Sequence, residues 1–392
     1  MFNNNICIVG GAGHVGAPLG LAFSNKGFKV ILLDKNVNSI KKINKGEMPF
    51  QEQGCEKLLK KMIKKKNILA SEDLNSIKKS KYIIICLGTP INRKYNPDLK
   101  KFINFFYQIK KNLSNKQIII IRSSIYPGTC DKVYNIIKDR CKNLSYCPER
   151  IAQGKSLIEL PKLPQVVSAK NNIAKVESAK IFKRICKKII FTDIIEAELI
   201  KLFSNAYRYI NFSISNQFYM MCKKYGLDFF KIRELMRNNY HRNASIPSAG
   251  FTAGPCLLKD TMQLSSFYNH NFMLGRSAML INEGLPKFIA NNLIKNCNLK
   301  KKTVGILGLS FKAENDDIRD SLSIKLLKYF KSKKIKTLQS DEYYKDKNNI
   351  DKKDLVKKSD IVIISTPHKA YKSLKISKKK MIVDLWGIFE KK

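Results

Sequence analysis

Residues 6–34 read ICIVGGAGHVGAPLGLAFSNKGFKVILLD. Ile6 to Val9 is a short apolar run that enters Gly11, Gly13 and Gly16, spaced as GxGxxG. An amphipathic helical stretch leads to Gly27, and Val30 to Leu33 form a second apolar run that stops at Asp34. Strand, glycine turn, helix and strand make the unit that grips a dinucleotide. Its glycines permit a tight turn, a close approach to a pyrophosphate and close helix–strand packing. The start of the helix offers unpaired N–H groups and the positive end of its dipole to phosphate charge. Asp34 falls roughly 20 residues on, where a carboxylate accepts from a ribose 2′-hydroxyl and repels a 2′-phosphate. A bare GxGxxG says little and can be a structural turn. Closed by an acid inside this unit, it predicts NAD, with Gly11, Gly13, His14, Val15, Gly16, Asp34 and Lys35 on the cofactor.

The pattern recurs downstream. SKYIIICLGTP (80–90) is a buried strand ending in a Gly88-Thr89-Pro90 turn, and Asn96-Pro97-Asp98 open another helix. QIIIIRSSIYPGTC (117–130) is a continuous apolar strand with Ser123 and Ser124 at its end, and LSYCPERIAQGK (144–155) is a shorter one ending at Cys147-Pro148-Glu149. Continuous rather than alternating apolar strands indicate a parallel sheet covered on both faces. Ligands bind at the carboxyl ends of such strands, which adds Gly88, Thr89, Pro90 and Ser123 to the cofactor side. Ser124 is either a substrate or water contact or a turn residue. Glu149 either serves acid–base chemistry or pairs with Arg150. The lysine run in 55–66 reads as a solvated helix face.

From about Ile190 the alternation of strand and helix stops. Residues 196–226 keep helical periodicity well beyond a typical helix length. Glu198, Lys201 and Asn205 fall on one face of it, as an inner polar set or an exposed polar stripe. AGFTAGPCLLKD (249–260) then joins small, flexible residues to a cysteine at the start of the helix LLKDTMQLSSF. A thiol there, with Lys259 close by, has its thiolate favoured by the helix dipole and the cation. A buried structural cysteine is the alternative. At Thr303 the strand–helix pattern restarts with a glycine turn that is not a second GxGxxG, so a second NAD is not expected. Lys312 and Arg319 lie in its first loop, where cations suit an anionic ligand.

The chain has 392 residues, 44% hydrophobic and 27% charged, with a formal charge of +43. Length alone allows two or three domains. So high a charge raises nucleic acid as a partner, but the lysines are spread along the whole chain and arginine is rare. That spread reads as a compositional bias, and no nucleic-acid partner is expected. Ten cysteines without a CxxC pair or Cys/His spacing argue against zinc and against a disulfide framework, so no metal is expected. No signal peptide and no apolar run of transmembrane length is read. A soluble cytoplasmic protein is the expectation.

These segments, in this order, resemble the UDP-glucose/UDP-N-acetylmannosamine 6-dehydrogenase family, the nucleotide-sugar dehydrogenases. The resemblance rests on VGGAGHVG with Asp34, the LGTP turn, SSIYPGT, PER, AELIKLFSNAYR, AGFTAGPCLLKD and GLSFKAENDDIRDS, and spans nearly the whole chain. It implies an α/β fold of two Rossmann-like doubly wound domains joined by a long central helix that builds a homodimer. The corresponding boundaries are 1–190 for NAD binding, 191–298 for the helical dimerisation region with the cysteine loop, and 299–392 for UDP-sugar binding. The implied reaction is a four-electron oxidation of a C6 alcohol to a uronate, with two NAD⁺. Cys256 would form a thiohemiacetal and then a thioester. Lys201 would stabilise the oxyanions, Asp260 with Ser124 would hold the water of proton transfer, and Glu149 would assist thioester hydrolysis. Asn205 would bind near the sugar, and Lys312 and Arg319 would hold the ligand of the second domain. Arg150, Gly250, Phe251 and Gly254 complete the implied substrate contacts.

Three departures from the family pattern stand out. Ala253-Gly254-Pro255 replaces the usual two glycines before the cysteine. Arg242, the best match to an arginine supplied by a partner subunit, lies slightly too close to Cys256. Gln153-Gly154 stands where a second acid usually follows the PE motif. This last feature, with CPER, resembles the acetamido-sugar branch and favours UDP-ManNAc or UDP-GlcNAc over UDP-glucose. A two-electron NAD-dependent hydroxyacid or hydroxyacyl dehydrogenase is the more distant rival, and it leaves Cys256 idle.

Overall fold

The computed structural model describes residues 5–92, 94–252 and 254–389. Ala253, part of the expected cysteine loop, lies outside them. The chain divides into two compact units, Met1–Ser204 and Asn205–Lys392.

The first unit is built on eight strands: β1 (Ile6–Val9), β2 (Val30–Leu33), β3 (Ile68–Ser71), β4 (Tyr82–Ile85), β5 (Ile118–Ile121), β6 (Leu144–Tyr146), β7 (Gln165–Ala169) and β8 (Ile189–Phe191). They lie in the order β3-β2-β1-β4-β5-β6-β7-β8. The first six follow the dinucleotide-binding order. Ile6, Ile8, Tyr82, Ile84, Ile118 and Ile120 belong to one buried core, while Cys7, Val9, Ile83, Ile85, Ile119 and Ile121 belong to another. Successive side chains point to opposite faces, so a strand covered on both sides has no position left for a polar residue. That is why these runs read as unbroken apolar stretches.

β7 departs from the expected parallel sheet, because it pairs antiparallel with β6. Register places the functional edge. Val9 lies opposite Leu33 and Ile85, Ile85 opposite Ile121, and Ile121 opposite Tyr146. Gly10, Asp34, Cys86, Arg122 and Cys147 therefore leave the sheet side by side.

The long helix is Ile194–Lys224, 31 residues, and the division between the units falls within it. In the second unit the helices Phe229–Arg237, Leu257–Phe267 and Met273–Asn296 accompany a smaller sheet. Its strands β9 (Val304–Leu307), β10 (Thr337–Ser340), β11 (Ile361–Ile364) and β12 (Met381–Asp384) are all parallel, in the order β10-β9-β11-β12. It too has two covered faces, with Val304, Ile306, Ile361 and Ile363 on one and Leu307, Val362 and Ile364 on the other. The fold is thus α/β with two Rossmann-like sheets. No helix among the described residues is long and apolar enough to cross a membrane.

Candidate active site

At the end of β1 the left-handed residue is Gly10, φ 73°, one position before the GxGxxG motif. Gly16 is required by contact, since a Cβ there would sit 2.4 Å from the Gly10 carbonyl oxygen. The helix Gly16–Asn25 that follows has no side-chain cap at Val15, so no side chain competes for the positive end of its dipole, where an anion is favoured. Asp34 accepts from the N–H of Ala12 through Oδ2 and from Asn36 through Oδ1, each at 3.0 Å. It pins the glycine turn and stays half-buried, while Lys35 is exposed. His14 stacks on Phe50 with ring centroids 3.9 Å apart, and its Nδ1 lies 2.9 Å from Gln153 Nε2. Thr89 donates to the Ser124 carbonyl, Ser123 bonds the Ile85 carbonyl at 3.2 Å, and Gly88 and Pro90 are exposed. A turn too tight for a side chain, an uncapped helix start and an acid closing β2 together fit NAD. Gly16→Ala is expected to lower stability by about 1–3 kcal/mol, read as an earlier midpoint in denaturant unfolding.

Glu149 is paired, but not with the Arg150 side chain. That guanidinium turns to the Pro164 carbonyl. The partner is Arg122, at the end of β5, whose Nε lies 2.8 Å from Glu149 Oε2 and whose Nη2 binds the same oxygen. Arg122 Nη1 also reaches the Cys147 carbonyl at 3.1 Å and Gln165 Oε1 at 2.8 Å, and the Phe182 ring lies 4.9 Å from its guanidinium carbon. The other Glu149 oxygen accepts the N–H groups of Arg150 and Ile151, at 2.7 and 3.0 Å. The loop beyond is held by Glu52, which accepts from Gly154 and Ser156 at 2.8 Å each. Arg122 and Glu52, which hold these segments in place, are residues that sequence reasoning missed. A lone arginine closing an isoleucine run was the available signal for the first.

Of the three residues singled out on one face of the long helix, Glu198 is fully buried. It accepts from the N–H groups of Gly128 and Cys130, at 2.6 and 3.0 Å, and so caps the helix Thr129–Ile137. Burial raises its pKa, and those N–H groups oppose the rise. Lys201 is half-buried, and among the described residues no hydrogen bond or ion pair engages its ammonium.

Asn205 belongs to the second unit, where its Nδ2 donates to Asp260 Oδ2 at 2.6 Å. Asp260 is fully buried. Lys259 Nζ lies 2.6 Å from its Oδ1, so the buried carboxylate has a cation beside it. Cys256 holds the N-cap position of the helix Leu257–Phe267, one turn before Asp260, and is exposed. It is the one exposed thiol among the described residues. Burial pushes Cys7, Cys55, Cys86 and Cys147 up to about 12, well away from the thiolate.

The loop before Cys256 is fixed from two sides. Gly250 donates its N–H to Asn216 Oδ1 at 2.9 Å and lies against the Trp386 ring, where a Cβ would come within 2.6 Å. Gly254, φ 106°, has the same relation to Phe311, with 2.5 Å to Cδ2. Phe251 is buried in the core, so its side chain is a packing element. Arg242 is exposed on a short turn, its guanidinium carbon 5.8 Å from the Tyr240 ring centre. Arg319 is clamped by Asp317, with Nε 3.0 Å from both carboxylate oxygens and Nη2 2.6 Å from Oδ2. The Asp317 bond raises the Arg319 pKa, and burial opposes the rise. Lys312, half-buried, sits on the same loop. Among the described residues no group of His, Cys, Asp and Glu could hold a metal ion.

A dinucleotide cradle on the first sheet and an exposed thiol at a helix start in the second unit are the features of an NAD-dependent oxidoreductase. Residues 4–189, 195–283 and 305–391 match the NAD-binding, central and UDP-binding domains of the UDP-glucose/GDP-mannose dehydrogenase family. The chain belongs to that family, and its substrate is a nucleotide sugar. The UDP-N-acetyl-D-mannosamine dehydrogenase of Methanococcus vannielii is 29% identical over 404 residues, covering 98% of this chain and 92% of the relative. The enzyme of that name from Pyrococcus horikoshii is 27% identical over 394 residues, covering 95% and 93%. A solved UDP-D-ManNAc dehydrogenase structure from Pyrococcus horikoshii superposes with a TM-score of 0.90 at 26% identity, covering 99% of this chain and 96% of the other. The UDP-glucose dehydrogenase of Pyrobaculum islandicum shares the fold, with a TM-score of 0.89 at 21% identity over 99% and 95% of the two chains.

Proposed function

We propose that this chain is a UDP-N-acetyl-D-mannosamine 6-dehydrogenase, which oxidises the C6 hydroxyl of its sugar to a carboxylate through Cys256. The observation that carries the covalent route is the exposed Cys256 thiol at a helix start, one turn before the buried Asp260. The sugar is supported by the relatives of that name and by Gln153 in place of a second acid. When bound, NAD⁺ supplies the hydride acceptor. The Cys256 thiolate adds to the C6 aldehyde and retains it as a thiohemiacetal, whose oxidation leaves a thioester. Water then releases the uronate. Asp260, whose Oδ1 faces Lys259 Nζ at 2.6 Å, is assigned to that water, with Asn205 fixing the carboxylate. Glu149 has both oxygens engaged by Arg122 and backbone N–H groups and contributes by holding its loop in place. The resemblance assigns Lys201 to the oxyanions, Ser124 to the proton-transfer water, and Lys312 and Arg319 to the nucleotide.

The domain limits that go with this reading are 1–190, 191–298 and 299–392. Phe203, Tyr207, Ile214, Phe218 and Met221 are exposed along the long helix at three-, four- and seven-residue intervals. Such a stripe suits a helix pairing with a second copy, and we assign a homodimer. Ten cysteines outside any disulfide suit the cytoplasm.

The test is a comparison of kcat/KM for UDP-ManNAc, UDP-GlcNAc and UDP-glucose. UDP-ManNAc is expected to lead UDP-glucose by at least about tenfold, because a site that bonds the acetamido group discriminates against its absence. A preference for UDP-glucose would overturn the sugar assignment.

A further inference from the structure

The loop between β9 and the helix Leu322–Ser332 carries Lys312 and Arg319, and its shape is held by a histidine outside it. His368 follows β11 and is fully buried. Its Nδ1 lies 3.0 Å from the backbone nitrogen of Glu314. A backbone N–H can only donate, so Nδ1 is the unprotonated nitrogen and the proton of the neutral ring sits on Nε2. There it faces Asp341 Oδ2 at 3.4 Å and Ser310 Oγ at 3.2 Å. Asp341 in turn accepts from the N–H groups of Leu309 and Ser310, at 2.5 and 3.0 Å. Tyr343 and Tyr371 close over the imidazole, with ring centroids 5.0 and 5.2 Å away.

Glu314 needs such a hold. It is a non-glycine residue at φ 56°, a left-handed conformation that costs free energy unless its surroundings impose it. Besides His368, its carboxylate accepts from the Lys369 N–H at 2.8 Å and from the Tyr343 hydroxyl at 2.9 Å. Order then passes along the loop. Asn315 Oδ1 accepts from the Asp317 N–H at 2.7 Å, the Asp317 carbonyl accepts from the Phe311 N–H at 2.9 Å, and the Asp317 carboxylate clamps Arg319.

We propose that His368 is a positioning residue for substrate binding: through the Glu314 N–H it fixes the loop that presents Lys312 and Arg319 to the nucleotide. This rests on the reading that residues 311–319 take the nucleotide part of the substrate. Two substitutions separate the two edges of the ring. His368→Asn places an amide oxygen near the Nδ1 position and can still accept from Glu314, whereas His368→Gln reaches toward the Nε2 side and leaves that N–H without its acceptor. UDP binding is measured by calorimetry on the full chain, together with kcat and with KM for UDP-sugar and for NAD⁺. His368→Gln is expected to weaken UDP and raise the UDP-sugar KM by about tenfold, because a buried donor loses its partner. Its kcat and NAD⁺ KM are expected to stay near wild type, and His368→Asn to recover most of the affinity. If Arg319→Ala weakens UDP but His368→Gln does not, the positioning role is overturned and the nucleotide reading stands. UDP affinity indifferent to Arg319→Ala removes the loop from the nucleotide site and overturns both. Equal losses in the Asn and Gln variants, or a matching rise in the NAD⁺ KM, reduce His368 to general packing and also overturn the proposal.

Discussion

Replacing Cys256 with serine is expected to lower uronate formation by about a thousandfold or more, the scale seen when a covalent nucleophile is lost, while NAD⁺ affinity stays unchanged. The reason lies in what the other thiols cannot do. Cys256 is the exposed one among the described residues, and burial keeps Cys7, Cys55, Cys86 and Cys147 protonated near neutral pH. Cys256 sits at the start of the helix Leu257–Phe267, where the dipole favours an anion. It is also within electrostatic reach of the Arg319 guanidinium. A serine hydroxyl at the same place gains far less, because its oxygen ionises only at much higher pH. Uronate measured by chromatography of single-turnover reactions checks the loss, and equilibrium NAD⁺ binding checks that the cradle around Gly16 is intact. Near-normal uronate production by the serine variant contradicts the covalent route.

The second large effect is expected in stability. Arg122→Met should destabilise the first unit by about 3–5 kcal/mol, because it leaves the Glu149 carboxylate buried without its counter-charge. Both residues are buried, and Gln165 Oε1 and the Cys147 carbonyl also lose a donor. Thermal unfolding is expected to begin on the order of 10 °C lower for a unit of this size. Adding Glu149→Gln should recover part of the loss, since an amide is cheaper to bury than an unpaired charge. A single-variant loss within about 0.5 kcal/mol, the size of an ordinary surface change, contradicts this account of the strand ends.

Where local pattern and tertiary burial agree, the sequence was readable. Ile6–Val9, Tyr82–Ile85 and Ile118–Ile121 are unbroken apolar runs because both faces of their sheet are covered, and the helix Leu257–Phe267 begins directly after the cysteine. Three strands were not read. Ile68–Ser71 is four residues long with Leu69 exposed, Ile189–Phe191 is three residues and largely exposed, and Gln165–Ala169 opens and closes its apolar pair Val166-Val167 with polar or small residues. The antiparallel direction of that last strand is set by a pairing partner some twenty residues away, which period and propensity do not encode. The site divides the same way. The glycines and the cysteine announce themselves by spacing and by position at an element's end. The partners that orient the site do not: Arg122 for Glu149, Glu198 for a remote helix start, and His368 for Glu314 are contacts between segments 27, 70 and 54 residues apart. Single residues of ordinary type in such contacts carry no local signature.

The number of NADH molecules formed per UDP-N-acetyl-D-mannosamine consumed tests the central claim most directly. Enzyme and purified sugar nucleotide are run to completion with excess NAD⁺, with NADH read by absorbance and the sugar by mass. Oxidation of the alcohol through a Cys256-held aldehyde to the carboxylate removes four electrons and predicts two NADH per sugar. One NADH per sugar, with the aldehyde released, would contradict it and leave Cys256 without a role in the chemistry.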